Sequence, residues 1–317
     1  MEFERPLVDL EVKLEELRHL DVADNPQLTS EIEELSAGIE RLRAETYTNL
    51  TPWDRVQIAR HPDRPKTQNY VEALFTDVAE LHGDRAYGDD EAMFAGLATL
   101  DGRRVALLGH RKGSNTKENI RRNFGSPHPE GFRKAMRVMR LAEKFHLPIV
   151  TLIDTGGAYP GTEAEERGQA WAIAESLELL AGLRVPVICV GIGEGGSGGA
   201  LAIGFGDRLI MLENAYYSVI TPEGCASILY RDASKAETAS SCLRMTAGDL
   251  LGFGIADEVL PEPLGGAHRD PEATYREVAA ALTRALDELS GTKTDELVAR
   301  RYERLRAIGE YCTLDGK

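Results

Sequence analysis

The sequence predicts an α/β fold on a mainly parallel sheet, and three observations carry that prediction. Apolar, strand-like runs at 149–153, 185–190 and 208–212 alternate with helical patterns, the order that strand-helix-strand crossovers produce. Two further apolar runs, 94–100 and 104–108, flank Asp101-Gly102, a dipeptide that closes tight hairpins. Glycine-rich stretches follow two of the strands, where open α/β sheets place their ligands.

With 317 residues the chain has room for one large α/β unit and an appendage. Its 42% hydrophobic and 28% charged content is that of an ordinary globular protein, and 6% aromatic content is too little for base-stacking platforms. The net charge of −15 argues against nucleic acid or an anionic membrane as a partner of the chain as a whole. Charge is uneven, however: 101–144 holds 12 Lys and Arg against 4 Asp and Glu, which fits either a local anion site or a solvated basic face. Cys189, Cys225, Cys242 and Cys312 form no CxxC pair and have no His at zinc-ligand spacing, so no metal is expected on this chain. Scattered cysteines fit a reducing compartment. The charged start and the lack of a long apolar run predict a cytoplasmic protein with no membrane segment.

Taken in order, Leu7, Leu10, Leu14 and Leu17 and then Ile32, Leu35, Ile39 and Leu42 recur at helical spacing around Asn25-Pro26, predicting a helical hairpin over 1–50. Ser30 and Glu33 have capping-box spacing and set the second helix's start. Each apolar stripe is narrow, so the pair must pack on the main domain or on a partner. Residues 51–69, with Pro52, Pro62 and Pro65, read as a surface linker. The main domain, 70–292, opens with the hairpin around Asp101-Gly102. It continues with a helix from His128-Pro129-Glu130 to about Phe145, a strand at 149–153 and a helix at 164–183. A strand at 185–190, a short helix and a strand at 208–212 follow. Helical patterns resume at 234–245, 271–289 and 295–308, the last within a C-terminal helix and tail over 293–317.

The run Gly193-Glu194-Gly195-Gly196-Ser197-Gly198-Gly199 admits three readings. Gly191-Ile192-Gly193-Glu194-Gly195-Gly196 satisfies G-x-G-x-x-G, with Glu213 about twenty residues on, but the helix that follows is short for a dinucleotide-binding crossover. Gly195-Gly196-Ser197-Gly198-Gly199 satisfies G-x-S-x-G, with Asp249 or Asp257 and then His268 in the order of a serine-hydrolase triad. Against this, about four residues separate Val190 from the loop, where an elbow needs a tight turn. The third reading uses the glycines for their N–H groups, which at a helix start can hold an oxyanion; tight strand-helix packing is the plain structural alternative. A second loop, Asp154-Thr155-Gly156-Gly157-Ala158-Tyr159-Pro160-Gly161, leaves its strand the same way and should lie beside the first.

Four segments together resemble one known family: Gly156 to Gly161, Ala164-Glu165-Glu166-Arg167-Gly168-Gln169, Gly193 to Ala200, and Thr221-Pro222-Glu223-Gly224-Cys225-Ala226-Ser227. The family is the carboxyltransferase alpha subunit of bacterial acetyl-coenzyme A carboxylase. The resemblance extends to Arg60-His61-Pro62, Gly83-Asp84-Arg85-Ala86-Tyr87, Arg121-Arg122-Asn123-Phe124-Gly125 and the run from Pro261 to Arg269, nearly the whole chain. Gly156 stands where the family usually has Pro, and the helical hairpin and C-terminal tail diverge.

The resemblance implies a crotonase-like (ClpP/crotonase) fold of repeated ββα units. It implies a beta partner of the same fold that carries a four-cysteine zinc ribbon, in an assembly of two alpha and two beta chains, together with biotin carboxyl carrier protein and biotin carboxylase, where ATP is used. The implied reaction moves a carboxyl group from carboxybiotin on the carrier to acetyl-CoA, giving malonyl-CoA for fatty acid synthesis; another acyl-CoA is the alternative substrate. By the same analogy the N–H groups of Gly198 and Gly199 hold the biotin ureido oxygen, and the partner mainly holds the thioester oxygen. Gly156, Gly157, Ala158, Tyr159, Gly195, Gly196 and Ser197 line the substrate site, and Arg111, Lys112, Arg121 and Arg122 are candidates for CoA phosphates or partner contacts.

Overall fold

A computed structural model of the chain describes residues 1–19 and 26–309, so Cys312 and Asn25 lie outside the described residues. Helices α1 (Arg5–Arg18) and α2 (Pro26–Thr48) form the expected hairpin. Leu7 and Leu14 of α1 meet Ile39 and Tyr47 of α2 over Ile58, so the narrow stripes close on each other and on the segment that follows them. Ser30 and Glu33 do not start α2: the helix runs from Pro26, a residue favoured in a first turn because its missing N–H has no intrahelical partner there.

The stretch read as a linker is helical and partly buried. In α3 (Pro52–Ala59), Thr51 and Asp54 form a capping box, and Val56, Ile58 and Ala59 are buried. Its prolines mark a helix start and turns, while the apolar residues between them carry the packing. Helix α4 (Thr67–Leu74) and strand β1 (Thr76–Glu80) follow, and the latter precedes the expected hairpin of β2 (Met93–Leu100) and β3 (Arg103–His110).

After α5 (Thr116–Arg121) and α6 (Pro129–Lys144) comes β4 (Ile149–Thr155), buried along its whole length. The helix expected over 164–183 is two, α7 (Thr162–Glu166) and α8 (Gln169–Gly182), divided where Gly168 takes φ +81°. Strand β5 (Val187–Gly196) runs six residues beyond the expected end at Val190 and absorbs the glycines through Gly196. Then come α9 (Ser197–Gly204), β6 (Arg208–Leu212), β7 (Tyr216–Ser218), α10 (Pro222–Tyr230), α11 (Ala236–Leu243), α12 (Ala247–Gly252), β8 (Glu258–Leu260), α13 (Pro271–Ser290) and α14 (Thr294–Arg306).

The strands form one sheet in the order β1-β2-β3-β4-β5-β6-β8, antiparallel from β1 to β3 and parallel from β3 onward. Strand β7 pairs with the glycine half of β5, Glu194 to Tyr216, Gly195 to Tyr217 and Gly196 to Ser218, which is why that half stays extended. One group of helices comprises α6 on β2 and β3, α9 on β4 and β5, and α8 between α6 and α9; α4 on β4 and α13 on β5 form a second. Parallel strands buried on both faces read as continuous apolar runs, the pattern that marked β4 and the first half of β5.

Candidate functional site

The two glycine-rich loops meet at the C-terminal ends of β4 and β5, and their glycines divide by what a side chain would strike. A methyl at Gly196 would lie 2.1 Å from the Gly156 carbonyl oxygen, and one at Gly199 would lie 2.5 Å from Ala158 N. Those two glycines let one backbone lie on the other. Gly193 and Gly195 are strand residues whose added methyls would strike Asp154 at 2.5 Å and the Tyr217 ring at 2.4 Å. Gly156 faces open space, with nothing within 4 Å of an added methyl, and at Gly198 a methyl would meet only Ile173, at 3.3 Å. Gly157, at φ +147°, needs the conformational freedom of glycine.

Ser197, Gly198 and Gly199 occupy the first turn of α9, where N–H groups lack intrahelical partners, and the N-cap Gly196 brings no side chain to them. Ser197 and Gly198 are half-buried, Gly199 is buried, and the positive end of the helix dipole lies at this turn. Beside them runs a groove of about 370 Å³, lined by Leu201, Phe205, Tyr217, Val219, Leu250 and Ile255 among others. Open donors at the edge of an apolar groove can bind a mainly apolar ligand that carries one polar oxygen.

In the second loop two backbone donors are engaged within the chain. Gly157 N–H donates to Thr155 Oγ1 at 3.0 Å, and Tyr159 N–H donates to the Pro127 carbonyl at 3.0 Å. The Tyr159 carbonyl accepts from Gln169 Nε2 at 2.9 Å, so both backbone polar groups of Tyr159 are engaged within the chain. Its ring stacks on His128, with centroids 4.2 Å apart.

The basic residues expected to meet CoA phosphates or a partner each have an internal carboxylate. Arg111 pairs with Glu80 at 2.9 Å, Arg121 with Glu91 at 2.8 Å and Arg122 with Glu118 at 3.4 Å. Lys112 Nζ bridges Asp154 and Glu194, 2.7 Å from each. Burial opposes charge on Lys112, but the two carboxylates outweigh it and raise its pKa. Burial likewise works against ionised Glu194, yet Lys112 and Arg60 hold it well below the usual carboxylate range. Glu194 also accepts from Arg60 at 2.7 Å and from the Tyr216 hydroxyl, and Arg60 reaches Glu223 at 2.6 Å. Arg64 forks onto Glu262 at 2.8 and 2.6 Å. Neither Arg60 nor Asp154 was singled out chemically from the sequence, although an acidic residue ending a buried apolar strand, as Asp154 does, is a usable signal because a charge there must be paired.

Two readings of the glycine run fail on geometry. Gly191, Gly193 and Gly196 all lie within β5 rather than in a phosphate-binding turn, and α9 has only 8 residues. Ser197, in contrast, does sit at a tight strand-to-helix turn with φ +51°, because the residues thought to separate it from the strand are themselves strand. The triad is nevertheless not assembled. Asp249 caps α12 through Thr246, Asp257 pairs with Arg304 at 2.6 Å, and His268 stacks on His61 with centroids 3.8 Å apart. Burial pushes the His268 pKa down to about 4.

Among the described residues no cluster of His, Cys, Asp or Glu could hold a metal ion, and no helix is long and apolar enough to cross a membrane. The family model described as "Acetyl co-enzyme A carboxylase carboxyltransferase-like" matches residues 1–309. The chain is 54% identical over 311 residues to the acetyl-coenzyme A carboxylase carboxyl transferase subunit alpha of Geobacillus sp. (strain WCH70), covering 98% of this chain and 96% of that one. It is 52% identical over 311 residues to the same subunit of Thermus thermophilus, covering 98% of each. Among solved structures it resembles transcarboxylase 12S, with TM-score 0.58 and 20% identity over 72% of this chain and 42% of that one. It also resembles a Pseudomonas malonate decarboxylase hetero-dimer, with TM-score 0.56 and 20% identity over 69% of this chain and 89% of that one. Likeness at that identity shows the fold, the crotonase-like one expected. The chain belongs to the family of carboxyltransferase alpha subunits of acetyl-coenzyme A carboxylase.

Proposed function

We propose that this chain, with a beta partner, moves a carboxyl group from carboxybiotin on a carrier protein to acetyl-CoA, forming malonyl-CoA. The observation that carries the assignment is the first turn of α9, with uncapped N–H groups at the edge of an apolar groove. The residues fit biotin in kind: a small apolar bicycle suits the groove, and a ureido oxygen suits backbone donors. Biotin bound there supplies a leaving group whose ureido oxygen gains negative charge as the carboxyl departs. Gly198 and Gly199 would hold that oxygen through N–H groups and the helix dipole, and the proton that the acetyl-CoA methyl gives up would pass to the ureido nitrogen freed of the carboxyl group. Gly156 leaves its own loop open, since nothing lies within 4 Å of the space a side chain there would fill. Lys112, Asp154, Glu194 and Arg60 brace the strand ends that carry both loops.

The thioester oxygen of acetyl-CoA belongs to the beta partner, which brings its own zinc ribbon, in an assembly of two alpha and two beta chains. That division fits the internal pairing of Arg111, Lys112, Arg121 and Arg122, the cations expected to meet CoA phosphates, each of which has a carboxylate partner within the chain.

The test is reconstitution with the zinc-ribbon partner and an assay of malonyl-CoA formation. The proline variant is built in a Ser197→Gly background, because a left-handed residue before proline is best tolerated as glycine. Ser197→Gly retains wild-type kcat. Adding Gly198→Pro, which deletes one donor where a helix needs none, lowers kcat roughly 10²-fold or more. Full activity of the isolated chain, or wild-type kcat in the proline variant, would overturn the proposal.

A further inference from the structure

One buried side chain joins the two glycine-rich loops and has no part in the proposal above. His110 ends β3 with 0% of its surface exposed. Its Nδ1 lies 3.3 Å from Asp154 N at the end of β4, and its Nε2 lies 3.1 Å from the Gly199 carbonyl oxygen in the first turn of α9. An amide N–H only donates and a carbonyl only accepts, so both contacts require a neutral ring with its proton on Nε2. Burial pushes the His110 pKa down to about 3, with Lys112 acting in the same direction, so this form persists at neutral pH.

Three elements hold the ring in place. Thr67 Oγ1 of α4 donates to the His110 carbonyl, fixing the backbone. The Asp154 carboxylate accepts from Lys112 at 2.7 Å and from Glu194 N–H at 3.1 Å, which holds the residue in place, and its backbone N–H donates to the imidazole. Gly199 has no side chain that could position it, and a methyl there would strike Ala158 at 2.5 Å, so its carbonyl is the available handle.

We propose that His110 is a positioning residue for carboxyl transfer: its two hydrogen bonds fix the first turn of α9 against the end of β4 and thereby aim the Gly198 and Gly199 donors. This rests on the oxyanion role given to those donors. An error near 1 Å in such a donor lowers rates by roughly 10²-fold, so one buried hydrogen bond can govern turnover without touching substrate.

The experiment compares His110→Leu, which fills the space without hydrogen bonds, with His110→Gln, whose side-chain amide restores a donor toward Gly199, each reconstituted with the beta partner. In His110→Leu, kcat falls roughly ten- to a hundredfold, while the KM for acetyl-CoA and assembly with the partner stay at wild-type values; His110→Gln recovers most of the loss. Nitrogen-15 NMR of the wild-type imidazole shows the Nε2–H tautomer and no titration across the activity range. Wild-type kcat in His110→Leu, a titrating imidazole, or equal losses of assembly and kcat in both variants would overturn the role. The two readings fail separately: a silent Gly198→Pro change removes the oxyanion assignment, whereas an impaired proline variant beside a fully active His110→Leu removes only His110.

Discussion

Gly196 and Gly199 differ from Gly156 and Gly198 in what surrounds them, although all four belong to the two glycine-rich stretches. At Gly196 and Gly199 a methyl would strike the backbone of the other loop, at 2.1 and 2.5 Å. At Gly156 it would meet nothing within 4 Å, and at Gly198 only one isoleucine. The first pair exists so that two loops of the chain can touch, the second so that something from outside can approach. Replacing Gly199 with a larger residue therefore tests folding before it tests ligand binding, and Gly198 is the better probe of the site.

The largest effect is expected at the contact pair. Gly196→Ala should destabilise the chain by upward of about 4 kcal/mol or prevent folding, because the methyl would meet main chain that cannot turn aside. Gly199→Ala should follow closely, whereas Gly198→Ala should stay within about 1 kcal/mol of wild type. Denaturant midpoints decide this, and a wild-type midpoint for Gly196→Ala would break the comparison.

Next comes the ion cluster beneath the loops. Lys112→Met leaves Asp154 and Glu194 without their shared cation and should cost about 3 kcal/mol at pH 7. Because Glu194 has a depressed pKa in the folded state, its contribution is present above its unfolded pKa of roughly 4.3 and is lost as pH falls below it. Removing Lys112 should make that acid-side loss shallower in a pH series of unfolding free energies; an unchanged slope would place the pairing elsewhere.

Smaller effects sharpen the open side of the comparison. Ser197→Ala should leave carboxyl transfer within about twofold, since the donors at this turn are backbone groups and a hydroxyl nucleophile is not required. Gly156→Pro should raise thermal stability by up to about 1 kcal/mol: the preceding Thr155 is extended, as a residue before proline prefers, and Gly156 does not have a positive φ. A fall in melting temperature would show that Gly156 needs a backbone angle proline cannot adopt.

Much of the scaffold was legible because burial on both faces writes a strand as an apolar run. Strand β6 falls on its expected residues, β4 begins where expected, and the hairpin turn lies at Asp101-Gly102. The last six residues of β5 were illegible: five of them are glycines or Glu194, without strand propensity, and Glu194, Gly195 and Gly196 stay extended because β7 pairs with them. Helix α3 was hidden behind three prolines in 51–67 that read as linker, though Thr51 and Asp54 carried a capping signal. The basic segment was visible as charge, but its carboxylate partners at Glu80, Asp154 and Glu194 come from other strands, and no local pattern announces them.

The sequence by itself determined the periodicities, and with them the strand-helix order, the glycine-rich stretches at two strand ends and the resemblance that names the family. Those are local properties of the chain, readable without knowing which segments touch. Tertiary structure alone decided which glycines are contacts and which are openings, that the triad residues lie in separate places, and that His110 spans two loops. Each of these depends on where a methyl, a ring nitrogen or a carboxylate lies relative to residues tens of positions away. Such distances exist only once the sheet has brought β3, β4 and β5 side by side.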